Sequence, residues 1–169
     1  MKQLKTLLIA AVMFFGANQA INAQAKVAHI DISELMATMP EMKTAQGQLE
    51  KLSKTYDAEY RTMVEEYQNK LKKYDQEAAT VTEKVNDDRS KEVQDLQKRI
   101  VDYRDTATKE LQQKELDLVK PVMEKARTAI QKVAKAKGYQ YVLDASNGGG
   151  VILADGPNLL ADVKKELGF

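Results

Sequence analysis

LEKLSKTYDAEYRTMVEEYQNKLKKYDQEAATV, residues 49–81, decides the fold. Leu49, Leu52, Tyr56, Tyr60, Met63, Tyr67, Leu71, Tyr74, Ala78 and Val81 follow one another at steps of three or four, with mostly charged and amide side chains between them. That spacing puts one apolar stripe on one side of an α-helix. The stripe advances by about 3.6 residues per turn, closer to a straight helix than to a strict 3.5 repeat, so only weak supercoiling is expected. A second stripe follows: Val93, Leu96, Ile100, Tyr103, Ala107 and Leu111, with Leu118 and Val122 further along. Two long helices with matching stripes bury them against each other, as in a coiled coil.

Between the stripes, Thr80-Val-Thr-Glu-Lys-Val-Asn86 is the weakest helical stretch, with β-branched threonines and an asparagine. The reading is a turn near residues 82–86. Asn86 would cap a new helix whose first turn holds Asp87 and Asp88, favourable against the helix dipole. Each arm of this hairpin would have about 40 to 50 residues, or roughly 60 to 75 Å at 1.5 Å per residue. Pro40 suits a helix start, Pro121 should kink the second arm, and Gly138 should end it. The expected arm is therefore 41–137.

Outward from the arm, Val27 to Ile32 alternates and is rich in β-branched residues, so it reads as a strand, with a helical turn over Ser33–Met39. Tyr139–Leu143 reads as a second strand, Asn147-Gly148-Gly149-Gly150 as a turn, and Val151–Ala154 as a returning third strand. Leu159–Leu167 reads as a short amphipathic helix closed by Gly168. Residues 26–40 and 138–169 thus form a β body that also serves oligomerisation. Three short strands bury little apolar surface, which favours several such sheets sharing one core. The fold class is α+β, mostly α: a long antiparallel helical hairpin projecting from a small β body.

At the N-terminus, Lys2 and Lys5 precede an apolar run from Leu7 to Phe15, and Ala23-Gln24-Ala25 offers small residues at signal-peptidase spacing. Residues 1–25 are read as a secretory signal cleaved after Ala23 or Ala25. The run is too short to stay as a membrane span. Removing Lys2 and Lys5 leaves 24 basic residues against 25 acidic, a net charge near −1. That balance gives no support for nucleic-acid binding, and no lipidated cysteine or permanent membrane insertion is expected.

Chemistry is sparse. The chain has no cysteine and one histidine, His29, so a Cys-His dyad or a multi-histidine zinc site is excluded. Carboxylates lie among lysines at helical spacing, as in Glu66 with Lys70, which suits solvated intrahelical pairs. Gly148-Gly149-Gly150 lacks the Lys-Ser/Thr and following helix of a phosphate loop. No catalytic residue, cofactor or metal is expected. The candidate binding residues are Tyr56, Tyr60, Met63, Tyr67, Tyr74 and Tyr103, bulky side chains that two slender helices cannot fully enclose.

Three stretches carry a resemblance. Lys26-Val-Ala-His-Ile-Asp-Ile32 with Ser33-Glu-Leu and Met39-Pro40-Glu41, then Val133-Ala-Lys-Ala-Lys-Gly-Tyr139 with Val142-Leu-Asp144, and finally Leu159–Leu167 resemble the Skp/OmpH family of trimeric periplasmic chaperones for outer-membrane proteins. The resemblance implies a homotrimer whose three helical arms enclose a cavity. Unfolded outer-membrane β-barrel proteins would be held there in the periplasm without ATP. It departs from the family's strongly basic arms, since Lys43–Lys120 holds 16 basic and 17 acidic residues. Apolar contact is therefore expected to outweigh charge in binding. The competing reading is an exported coiled-coil spacer or adaptor in the cell envelope.

Overall fold

The computed structural model describes residues 25–169. The expected secretory signal, residues 1–25, falls almost wholly outside them.

The chain runs β1 (Val27–Ile30), α1 (Ile32–Thr38), α2 (Pro40–Glu77), a 3-10 turn (Ala78–Thr80), α3 (Glu83–Ala136), β2 (Tyr141–Asp144) and α4 (Leu160–Leu167). β1 alternates as its sequence requires, with Ala28 and Ile30 buried and Val27 exposed. It ends at Ile30, two residues before the expected Ile32. Asp31 caps α1 instead, its carboxylate accepting from the Glu34 N–H at 2.8 Å. Met39 is extended, as a residue before proline prefers, and Pro40 occupies the first turn of α2.

β1 and β2 pair in parallel, Val27 opposite Tyr141 and Ile30 opposite Asp144. A parallel pair needs a long crossover, and here the helical hairpin supplies it. The other edge of β1 is taken by residues 157–159. The His29 N–H donates to the Pro157 carbonyl at 2.9 Å, and the His29 carbonyl accepts from the Leu159 N–H at 3.0 Å.

This corrects the expected hairpin: Val151–Ala154 is not a strand, and the third line of the layer lies at Asn158. Gly148 and Gly150 have positive φ, and the Gly149 N–H donates to the Ser146 carbonyl. The loop therefore folds on itself after β2, and the chain crosses to the far edge of β1. That crossing delivers Leu159 and Val163, 1% and 0% exposed, into the core. Short-range turn signals indicate a reversal but not which strand edge receives the returning chain.

The core lies at this end of the molecule. Ile30, Leu35, Met39, Leu159 and Val163 are its largest fully buried side chains, covered by Val122, Ala126, Ala129 and Val133 of α3. Alanines on α3 let the sheet and α4 approach closely. Tyr139 N–H reaches back to the Ala134 carbonyl at 2.9 Å across Gly138, whose φ is 74°, the left-handed stop expected there. Gly168, φ 89°, ends α4 in the same way. Ion pairs Lys132–Glu166 at 2.5 Å and Lys137–Asp162 at 2.6 Å hold α4 to the end of α3.

Away from the core, α2 and α3 pack on each other as an antiparallel hairpin. The 38 residues of α2 span roughly 57 Å at 1.5 Å each. The reversal comes at 78–82, just before the expected 82–86. Thr82, not Asn86, caps α3, its hydroxyl accepting from the Val85 N–H at 3.4 Å. Asn86 sits one turn inside α3, where its amide donates to the Ala78 carbonyl at 2.9 Å and closes the end of α2. α3 continues through Pro121, which lies on its exposed side and costs one helical hydrogen bond.

Candidate functional site: the helical arm

Both stripes lie where their spacing puts them. Leu49, Leu52, Tyr56, Tyr60, Met63, Tyr67 and Tyr74 of α2 are half-buried, whereas Leu71 and Ala78 are exposed. On α3, Leu96 and Ala107 are buried, and Val93, Ile100, Tyr103 and Leu111 are half-buried. Two helices cannot surround a tyrosine ring, so the seam stays open along its sides.

Polar latches close parts of it. The Tyr103 hydroxyl of α3 donates to Glu59 of α2 at 2.7 Å, and the Tyr56 hydroxyl of α2 donates to Glu110 of α3. The two rings meet edge-on, their centroids 6.2 Å apart and their planes at 77°. This is a reciprocal bracket, each helix giving one tyrosine and one carboxylate. Desolvation, reinforced by the bond to Glu59, pushes the Tyr103 hydroxyl up to about 12. The bond to Glu110 raises Tyr56 as well.

Nearer the tip, Glu92 of α3 accepts from the Tyr74 hydroxyl at 2.5 Å and pairs with Lys70. Arg89 lies 4.5 Å from the centre of the Tyr74 ring and pairs with Glu77 at 2.5 Å. Hydrogen bonds from Lys70 and then Tyr74 hold the Glu92 carboxyl below its ordinary value. Near the body, Lys125 of α3 pairs with Glu41 of α2 and lowers that carboxyl too.

The six expected binding residues thus share one seam but divide in two. Tyr56, Tyr74 and Tyr103 are tied across it. Tyr60, Met63 and Tyr67 lie between the two latches, and the hydroxyls of Tyr60 and Tyr67 make no hydrogen bond among the described residues. Sequence reasoning missed the carboxylates of the latches. Glu66 does reach Lys70 at 3.7 Å along α2, but Lys70 also pairs across the hairpin with Glu92. The available signal was position, since Glu59, Glu92 and Glu110 flank the stripes.

Among the described residues no cluster of three or more His, Asp or Glu is placed to hold a metal ion, and no helix is long and apolar enough to cross a membrane. His29 serves the sheet through its backbone.

Comparison with known proteins agrees with this architecture. The family described as Outer membrane protein (OmpH-like) matches residues 26–167. No curated protein matches the chain significantly. Among solved structures, the chain is similar to a Caulobacter crescentus CB15 protein described as an OmpH-like outer membrane chaperone. The TM-score is 0.75 and the identity 18%, over 85% of this chain and 83% of that one. At that identity the likeness establishes a shared fold, long helices on a small sheet. The family match spans the arm together with both flanking parts of the body, and the chain belongs to the OmpH-like family.

Proposed function

We propose that this chain is an ATP-independent periplasmic holding chaperone that acts as a homotrimer and keeps unfolded outer-membrane β-barrel proteins from aggregating between its arms. The carrying observation is the open seam: bulky, half-buried Tyr60, Met63 and Tyr67 on a long hairpin whose opposed helices are latched on either side of them. Flexible methionine and amphipathic tyrosine suit loose contact with many apolar segments. The family supports this, as does the neighbour described as an outer membrane chaperone. In this reading the leader directs export, the body of 26–40 and 138–169 assembles the subunits, and no catalytic step is involved.

A second reading, a structural spacer in the envelope, is favoured by the latches, which stiffen the arm as a strut would need. Binding separates the two. The leaderless protein is titrated with a urea-unfolded β-barrel protein and with the same protein folded in detergent. The chaperone binds the unfolded form and ignores the folded one. A spacer binds neither, and that result would remove the chaperone reading.

A further inference from the structure

α3 carries a second apolar face. Leu116 and Met123 lie roughly 100° or more around the helix from the neighbouring stripe residues Leu118 and Val122, at about 100° per residue, with Val119 and Ile130 between that face and the stripe. Leu116 is 63% exposed and Met123 54%. This face leads into a groove of about 430 Å³ between α3 and the sheet, floored by Ile30 and Val142 and edged by Arg127 and Lys135. Asp144 also borders it, but its carboxylate is already occupied by the Ser146 and Ile32 N–H groups.

The same chain displays a matching projection. Ile152 is fully exposed and Leu153 is 77% exposed, side by side in the loop between β2 and α4. The loop is not loosely hung. Ala145 N–H donates to the Ile30 carbonyl at 2.9 Å, residues 157–159 bond to His29, and Gly149 fits so closely that a Cβ there would lie 2.5 Å from the Asp144 carbonyl oxygen. Two adjacent large apolar side chains held out in water mark an interaction surface. Asp155 follows them, and among the described residues neither Asp155 nor Arg127 nor Lys135 forms an ion pair.

We infer that Ile152 and Leu153 of one copy seat in the groove of a second copy, against Met123, Ile130 and Val142, with Asp155 meeting Arg127 and Lys135. Projection and groove are different surfaces of one chain, so the contact is head-to-tail, the kind that builds a ring when its rotation closes. The charge match favours a second copy over an unfolded client, whose sequence would vary. The inference rests on the oligomeric part of the reading above and says where the subunits meet.

The absence of cysteine makes the test clean. A Leu153→Cys, Met123→Cys double variant is mildly oxidised and run without reductant, beside each single variant. Covalent multimers from the double variant and none from either single are expected. In parallel, Ile152→Asp with Leu153→Asp should raise the dissociation concentration of the oligomer about tenfold or more (~1.4 kcal/mol) while helix content is unchanged. An oligomeric wild type that gives no double-variant multimers overturns the inference and leaves the oligomer standing. A wild type that is monomeric by mass overturns both. Should the aspartate variant fail to fold, the cross-link alone decides.

Discussion

Tyr103 shows how one side chain serves both packing and electrostatics. Its ring fills the seam against Tyr56 while its hydroxyl is spent on Glu59 of the opposite helix. A tyrosine held at about 12 when folded and near 10 when unfolded keeps its proton longer in the native state. The native state then binds more protons between those values, so stability falls as pH rises from about 10 to 12. Tyr103→Phe should flatten that alkaline slope in thermal unfolding followed at pH 9 and pH 11, with the helix content at pH 7 retained. The acid limb has the opposite sign. Glu92 and Glu41 lie below their ordinary 4.5, so their contribution is present above that value and is lost as pH falls through the lower folded one. Glu92→Gln should reduce acid sensitivity near the tip, read as amide exchange at 70–74 and 89–93 at pH 4 against pH 7. The tyrosines were legible because aromatic side chains recur at helical spacing. Their partners were not, because a carboxylate among lysines satisfies the intrahelical rule and the cross-helix rule equally well until the register of the hairpin is known.

Among the elements, the helices were legible nearly to the residue, since Pro40, Gly138 and Gly168 act locally. The tip was displaced because Thr82 and Asn86 are both competent caps one turn apart, and the Ala78 carbonyl drew Asn86 into a different bond. Val151–Ala154 misled for a related reason. An apolar, β-branched stretch after a glycine turn reads as a returning strand, yet Ile152 and Leu153 face outward and residues 157–159 take the vacant edge of β1. Element packing also sets where substitutions hurt. Leu35 is 0% exposed at the centre of the core, so Leu35→Ala should cost about 2–5 kcal/mol in denaturant unfolding. Leu71, 40% exposed on the arm, should lose less than about 1 kcal/mol as alanine. Gly149→Ala should also destabilise, because its Cβ would meet backbone and not a movable side chain.

At the scale of the whole molecule, the chain places nearly all of its large buried side chains at one end and leaves a half-open hairpin at the other. A small two-stranded sheet at the end of a long lever is marginal alone, and association would supply what it lacks. The near-neutral arm bears on the proposed holding role. With 16 basic against 17 acidic residues over Lys43–Lys120, that role would rest on apolar contact. Affinity for an unfolded β-barrel protein should change little between low and moderate salt, whereas a steep loss would return the weight to charge. Replacing Tyr60, Met63 and Tyr67 together with serine should weaken that affinity several-fold without dissolving the hairpin, because both latches remain.

The most direct measurement dilutes a urea-unfolded outer-membrane β-barrel protein into buffer with the leaderless chain, without ATP, following light scattering and recording the oligomer's mass in the same sample. Suppressed aggregation at near-stoichiometric amounts of a trimer is the predicted result. A well-folded oligomer that leaves aggregation unchanged would contradict the holding role and make the arm a spacer.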